Sequence, residues 1–189
     1  MSERAREFDA LYTRTIDPWG FRTSAYERAK YAATLAALPR PRYRRAIEAG
    51  CSIGELTALL GGRADTVLGL DVSAVAVEEA RRVHGAVPGL AFAVRELPEG
   101  WPEEAVDLVV LSEVLYFLEP DEIDRLAGRV LDTLEPGGHC VAVCWLGEND
   151  RTLDGDGALE RFARAFSAGG RGACVRREPR YRIDAFERG

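Results

Sequence analysis

The chain has 189 residues, of which 47% are hydrophobic and 30% charged, a composition typical of one globular domain with its own core. Its net charge of -6 argues against a nucleic-acid partner, because phosphate-binding surfaces need an excess of lysine and arginine. The most apolar stretch, residues 106–118, contains Asp107 and Glu113 and is shorter than the roughly 20 residues that span a bilayer. The N-terminus lacks the apolar core of a signal peptide, so we expect a cytoplasmic protein without a membrane segment.

Two helices are predicted before the first strand. The first covers about residues 4–13. The second begins at a capping box formed by Ser24 and Glu27, and its apolar stripe ends at Pro39. We expect residues 1–40 to form a helical cover and residues 44–189 to form the sheet, together making a single domain.

Short apolar runs alternate with helical patterns from residue 44 onward. Near-continuous apolarity is typical of strands that are buried on both faces. The predicted strands are residues 45–49, 66–70, 90–94, 106–111 and 140–145. This alternation predicts an α/β fold with a doubly wound, mostly parallel sheet covered by helices.

The clearest helix lies between the fourth and fifth strands. It begins at Pro120, repeats apolar residues at intervals of three and four as far as Leu134, and is expected to stop at the Pro-Gly-Gly of residues 136–138. Residues 147–157 are polar and rich in turn formers, and residues 158–168 have helical spacing. The tail, with apolar runs on both sides of Pro179, predicts a closing hairpin.

The cysteines and histidines do not form a metal-binding pattern. The four cysteines include no C-x-x-C pair, and Cys140 and Cys144 would lie about 13 Å apart on one strand. His84 and His139 are far apart in the sequence. We therefore expect no metal site and interpret the cysteines as small buried hydrophobic residues.

A glycine-rich turn follows the first predicted strand. Its residues are Glu48-Ala49-Gly50-Cys51-Ser52-Ile53-Gly54-Glu55, and Asp71 ends the second strand. Glycine lets the backbone approach a ligand closely, and an acidic residue at the end of the next strand can accept hydrogen bonds from ribose hydroxyls. The pattern predicts a nucleoside site at the carboxyl edge of the sheet. The alternative is a purely structural turn, with Asp71 and Ser73 capping the next helix.

Two departures from G-x-G-x-x-G distinguish between the possible cofactors. A dinucleotide places its pyrophosphate at the helix N-terminus, where this chain has Glu55 in place of the third glycine and Ser52 in place of the second. A carboxylate there would repel the pyrophosphate. S-adenosylmethionine has no phosphate, so both residues are compatible with it.

With these residues in place, the motif order over residues 44–146 resembles the class I S-adenosylmethionine-dependent methyltransferases. Residues 17–31 and 111–116 are further similar to the nodulation-type N-methyltransferases, which methylate the amine of an amino-sugar oligosaccharide. The resemblance implies a seven-stranded sheet whose last strand is antiparallel, with residues 173–187 supplying the two final strands. It also implies a small-molecule acceptor.

The resemblance implies roles for individual residues. Gly50, Cys51 and Gly54 would lie along the methionine part of the cofactor, and Asp71 would bind the ribose hydroxyls. The other residues expected near the cofactor are Val72 beside the adenine, Glu96 and Leu97 at its edge, Ser112, and Trp19 and Arg22 from the N-terminal cover. Many relatives carry Asp at the position of Glu96, and the nodulation-type proteins have His where this chain has Cys144, which leaves the acceptor's identity open.

Two residues are candidates for catalytic roles beside the acceptor. Glu113 follows the fourth strand, where sheet topology places ligands, and could orient an amine; Tyr116 lies three residues further on. Alternatively, Glu113 is a carboxylate that stabilises the start of a helix or faces the cofactor instead of the acceptor. Trp19 could likewise only pack the N-terminal helix against the domain, without contacting the cofactor. Methyl transfer depends mainly on alignment, worth roughly 7–11 kcal/mol, so activity does not require an obvious base.

The sequence is also compatible with three other functions. An O-methyltransferase differs only in the acceptor atom. A nicotinamide-dependent reductase is opposed by Glu55 and by the short chain. A non-catalytic S-adenosylmethionine-binding module would keep the cofactor site without turnover. Acceptor specificity should come from residues 147–171 and the N-terminal cover, and the sequence gives no signal for oligomeric state.

Overall fold

The computed structural model describes all residues from 1 to 189. The strands are β1 Tyr43–Ala49, β2 Ala64–Asp71, β3 Leu90–Val94, β4 Val106–Ser112, β5 Leu134–Trp145, β6 Gly170–Glu178 and β7 Tyr181–Arg188. The helices are α1 Glu3–Arg14, α2 Ala25–Ala36, α3 Glu55–Leu60, α4 Ala74–His84, α5 Pro120–Thr133 and α6 Gly155–Phe166, with a short 3-10 turn at Leu115–Phe117. No helix is both long enough and apolar enough to cross a membrane.

All seven strands form one sheet in the order β3-β2-β1-β4-β5-β7-β6. The first five are parallel, and β7 runs antiparallel between β5 and β6. The predicted α/β fold is confirmed, including the antiparallel last strand and the tail that supplies β6 and β7. The chain reverses its winding direction between β1 and β4, which opens a crevice at the carboxyl ends of these strands.

Both faces of the sheet are buried. Along β4, Val109 and Leu111 pack into the core beneath α5 and α6, whereas Leu108 and Val110 pack into the core on the α2 and α3 side. Successive strand residues point to opposite faces, so an uninterrupted apolar run is what a sheet covered on both sides requires.

The boundary between α5 and β5 differs from the prediction. Leu134 continues the helical apolar spacing, but its backbone is extended (φ -66°, ψ 133°) and it pairs with Val106 of β4. The helix therefore ends at Thr133, and the Pro-Gly-Gly segment lies inside an irregular beginning of β5 rather than after α5. Pairing with the neighbouring strand overrides local periodicity here.

Polar contacts stabilise the two N-terminal helices. In α1, the Asp9 carboxylate accepts hydrogen bonds from the Ser73 hydroxyl (2.6 Å) and the Val75 N–H (3.2 Å) at the start of α4. In α2, Ser24 caps the helix by accepting from the Glu27 N–H. The second half of the predicted capping box does not form, because the Glu27 carboxylate points to Lys30 instead.

Candidate functional site

A cavity of about 560 Å³ lies at the carboxyl edge of the sheet, the position where open α/β sheets bind ligands. Its floor consists of residues that follow or end β1, β2, β4 and β5, and its walls include side chains from α1 and α2. We call the part formed by Gly50, Ser52, Asp71 and Val72 the nucleoside end. We call the part formed by Glu27, Lys30, Glu113, Tyr116 and Trp145 the carboxylate end.

Gly50 is required by both backbone conformation and space. Its φ is +81°, a left-handed conformation that favours glycine, and a Cβ built there would lie 2.2 Å from the Ser112 carbonyl oxygen. The backbones that follow β1 and β4 therefore meet without a side chain between them. This close approach leaves main-chain groups exposed to the cavity floor.

Asp71 is held by backbone donors. One carboxylate oxygen accepts from the Ser52 N–H and the other from the Ser73 N–H, each at 2.9 Å. These N–H groups lower the pKa of Asp71, but burial has the larger effect and raises it above its ordinary value. Each oxygen has a second lone pair, so the carboxylate can still accept hydrogen bonds from a ligand's hydroxyls.

Two further polar groups support the glycine turn. The Glu48 carboxyl is 1% exposed and bonds the Thr57 hydroxyl at 2.5 Å, and burial raises its pKa to about 8. Glu48 is therefore protonated at neutral pH. The Tyr12 hydroxyl of α1 lies 2.5 Å from the Ser52 hydroxyl, which ties the N-terminal helix to the turn.

Glu113 is the centre of the carboxylate end. It has a positive φ of 54°, unusual for a residue with a side chain. Its Oε1 accepts from Lys30 Nζ at 2.6 Å, and its Oε2 accepts from the Tyr116 hydroxyl at 3.0 Å and the Trp145 N–H at 2.7 Å. Three donors thus fix this carboxylate at the end of β4.

Lys30 joins Glu113 to a second buried carboxylate. Lys30 and Glu27 are 5% and 6% exposed, and Lys30 Nζ lies 3.0 Å from Glu27 Oε2. Burial lowers the pKa of Lys30, but the carboxylates of Glu113 and Glu27 more than offset it and the pKa is raised. The pKa of Glu27 is also raised, because the effect of burial exceeds the opposite effect of the Lys30 ammonium. Lys30 therefore stays protonated between two carboxyl groups.

Twelve residues were predicted from the sequence to lie at the site, and the structure brings eight of them to the cavity. Those eight are Trp19, Gly50, Asp71, Val72, Leu97, Ser112, Glu113 and Tyr116. Glu27 and Lys30 also line the cavity and were not predicted as site residues. Glu27 matches a capping-box position and Lys30 lies on an amphipathic helix, so neither carries a sequence signal that points to a site.

The other four predicted residues lie outside the cavity lining. Arg22 pairs with Glu55 and Glu79, at 3.0 and 2.8 Å. Cys51 packs in a small core with Phe92. Gly54 lies against the same ring, since a Cβ built on Gly54 would be 3.0 Å from a ring carbon of Phe92. These two residues therefore face α4 and β3 rather than the cavity.

Glu96 is the fourth residue outside the lining. Its carboxylate is half exposed and lies 3.7 Å from Arg4 of α1. Cys144, which replaces the histidine of the nodulation-type pattern, is fully buried, and burial raises its thiol pKa. Neither histidine lines the cavity, and no group of three His, Cys, Asp or Glu side chains is arranged to hold a metal ion.

Comparison with known proteins identifies the family. A model described as a methyltransferase domain matches residues 47–140. A Pseudomonas syringae protein of known structure, assigned as a methyltransferase, is 36% identical with a TM-score of 0.73, and the match covers 87% of this chain and 100% of that one. The chain belongs to the class I S-adenosylmethionine-dependent methyltransferases.

Two curated relatives match this chain over about two thirds of its length. Nodulation protein S of Rhizobium tropici is 32% identical over 66% of this chain and 53% of its own length. A trans-aconitate 2-methyltransferase of Methylobacterium radiotolerans is 39% identical over 68% of this chain and 45% of its own. The chain thus matches about half the length of these curated relatives.

The fold is shared with more distant structures. The N-methyltransferase NodS of Bradyrhizobium japonicum, solved in complex with S-adenosyl-L-homocysteine, is 18% identical with a TM-score of 0.78, and the match covers 95% of this chain and 97% of that one. The nucleoside end has the features that such a cofactor needs. The glycine turn lets the backbone come close to a bound molecule, and the Asp71 carboxylate has lone pairs free to accept hydrogen bonds. Helix α3 begins with Glu55, whose carboxylate is unsuited to binding a phosphate.

Proposed function

We propose that this chain transfers a methyl group from S-adenosylmethionine to the amine of a small-molecule acceptor, such as an amino sugar. The observation that carries the proposal is that one cavity joins the nucleoside end to a buried carboxylate end. The first has the groups that a nucleoside cofactor needs. The second lies beside it, at the end of β4, where the acceptor would meet the methyl group.

At the nucleoside end, each residue has a positioning role. Asp71 accepts hydrogen bonds from the ribose hydroxyls, Val72 and Leu97 flank the adenine, and Gly50 lets the backbone contact the methionine part. Residues 1–40 cover the site and exclude water through Tyr12 and Trp19. When bound, the cofactor supplies a methyl group on a positively charged sulfur. The protein's contribution is chiefly alignment, worth roughly 7–11 kcal/mol in well-oriented reactions.

At the carboxylate end, the protein stabilises charge that moves toward the acceptor. In the transfer, the amine lone pair forms the new N–C bond, the S–C bond breaks, and its electron pair stays on sulfur. Positive charge therefore develops on nitrogen, where two carboxylates share the single ammonium of Lys30. The bond-forming step needs no base, since the ammonium product releases its proton to water afterwards.

The charge of this end favours an amine over a carboxylate acceptor. An anionic acceptor would meet Glu27 and Glu113. A hydroxyl acceptor would need a base to remove its proton, and Glu113 is already held by three donors. Methyl transfer to oxygen is the second candidate, because a trans-aconitate 2-methyltransferase is 39% identical to this chain over 68% of its length.

The test is transfer of labelled methyl from S-adenosylmethionine to paired acceptors. D-Glucosamine and its β-1,4-linked tetramer are compared with N-acetylglucosamine, which lacks the free amine, and with trans-aconitate. We expect label only in the amines, and Glu113→Gln should lower kcat/KM by about 100-fold while the affinity for S-adenosylhomocysteine stays unchanged. Transfer to trans-aconitate or to hydroxyls alone would overturn the amine assignment. Cofactor binding without transfer to any acceptor would instead favour a non-catalytic module.

A further inference from the structure

Three buried side-chain atoms in the cavity wall lack a hydrogen-bond partner. One is Glu27 Oε2, which lies 3.0 Å from the Lys30 ammonium, and the other two have no ion-pair partner either. These two are the hydroxyl of Tyr26 in α2 and the amide nitrogen of Asn149, in the loop between β5 and α6. Buried polar groups in folded proteins almost always have partners. Two unpartnered donors in the wall of one cavity indicate that oxygen atoms of a ligand bind them.

Contacts with two neighbouring side chains hold the Tyr26 ring, and with it the hydroxyl, in place. The Arg180 guanidinium carbon lies 3.6 Å from the ring centroid, and the Tyr181 ring packs edge-on at 6.1 Å. Burial raises the pKa of Tyr26, so its hydroxyl remains a donor at neutral pH. The ring cannot turn to find a partner in the protein without losing these contacts.

The Asn149 side chain is oriented by its own loop. Its Oδ1 accepts from the Arg151 N–H at 2.9 Å, which identifies the other terminal atom as the nitrogen. The amide nitrogen is therefore the group left without a partner. Like the Tyr26 hydroxyl, it can donate to an oxygen of a bound molecule.

Both donors belong to the acceptor side of the crevice. Tyr181, which packs on Tyr26, begins β7, and Asn149 follows β5. The nucleoside end lies instead above β1 and β2, on the other side of β4 in the sheet order. The two donors also come from α2 and from the loop after β5, which are separate segments that a single acceptor molecule would bridge.

We propose that the Tyr26 hydroxyl and the Asn149 amide bind oxygen atoms of the acceptor, and that the acceptor is a polyhydroxylated amine. The inference rests on the proposed function, which places the acceptor in this cavity. Two donors could also bind a carboxylate, and Arg151 lines the wall beside Asn149. At the carboxylate end, however, the two carboxylates Glu27 and Glu113 face the single ammonium of Lys30, which disfavours an anionic acceptor. Uncharged hydroxyl, ether or ring oxygens satisfy both donors, and the amine faces the carboxylate end.

The test is calorimetric binding of the β-1,4-linked glucosamine tetramer to the protein saturated with S-adenosylhomocysteine. Tyr26→Phe and Asn149→Ala should each weaken tetramer binding about tenfold, the loss expected for one buried hydrogen bond. The affinity for S-adenosylhomocysteine should not change. Matched controls are Tyr31→Phe, on the same helix but outside the cavity, and Thr152→Val, in the same loop as Asn149.

Each outcome bears on the inference. Unchanged tetramer affinity in both variants, or an equal loss of S-adenosylhomocysteine affinity, would overturn it, the latter by assigning these groups to the cofactor. Absence of tetramer binding to the parent protein would overturn the polyhydroxylated class. Selective loss of tetramer binding in the two variants, without methyl transfer by the parent protein, would support the two donors as binding groups for a polyhydroxylated amine and would refute the proposed function. The two failures are therefore distinguishable.

Discussion

The two ends of the cavity are built in different ways. The nucleoside end uses residues 50–72, a continuous segment in which one turn and the end of one strand supply backbone geometry and a carboxylate. The carboxylate end joins Lys30 to Glu113, which are separated by 83 positions, and adds Trp145 from a third segment. A local motif can be recognised in the sequence, whereas an ion pair between distant segments exists only after folding.

The most severe change to the nucleoside end is Gly50→Ala. Its Cβ would lie 2.2 Å from the Ser112 carbonyl oxygen, at a φ of +81° that disfavours alanine. We expect the affinity for S-adenosylhomocysteine to fall by at least about 100-fold, measured by calorimetry. Gly128→Ala is the matched control, since no atom lies within 4 Å of the new Cβ in α5. Parental affinity in Gly50→Ala would show that the turn does not contact the cofactor.

The corresponding change at the carboxylate end is Lys30→Met. It leaves Glu27 and Glu113 buried without their shared cation, so we expect a loss of about 3 kcal/mol in the free energy of unfolding in urea. Arg42→Met breaks the exposed pair with Asp65 and should cost less than about 1 kcal/mol. Equal losses in the two variants would mean that burial does not strengthen the Lys30 pair.

The buried carboxyl beneath the glycine turn should make stability depend on pH. The pKa of Glu48 is about 8 in the folded protein against 4.5 ordinarily, so the folded state holds a proton that the unfolded state releases. This contribution is complete below pH 4.5 and is lost as the pH rises toward 8. Glu48→Gln should therefore gain stability relative to the parent between pH 5 and 9, by on the order of 3 kcal/mol. Parallel stability curves would contradict the raised pKa.

The smallest expected effect is that of Asp71→Asn. The amide keeps one acceptor oxygen but loses the charge and the second acceptor, so the affinity for S-adenosylhomocysteine should fall about tenfold. Asp65→Asn, at the exposed beginning of the same strand, is the control and should bind as the parent does. An unchanged affinity in Asp71→Asn would refute the ribose assignment and restrict Asp71 to holding the Ser52 and Ser73 N–H groups.

Only part of the site could be predicted from the sequence. Gly50 and Asp71 belong to a recognisable turn and strand end, and both line the cavity. Cys51 and Gly54 come from the same turn, yet they face α4 and β3, because neighbouring residues in a tight turn point in different directions. Glu27 fits a capping pattern, but the Lys30 ammonium one helical turn later attracts its carboxylate away from the helix start.

The sequence by itself determined the alternation of strands and helices, the parallel sheet and the cofactor motif. These depend on apolar periodicity, glycine conformation and the spacing of one acid, all of which act over short stretches of chain. Only the tertiary structure decided where β5 begins, that Lys30 holds Glu113, and that Tyr26 and Asn149 are left without partners. Those features depend on contacts between segments that are distant in sequence, and such contacts leave no pattern in either segment alone.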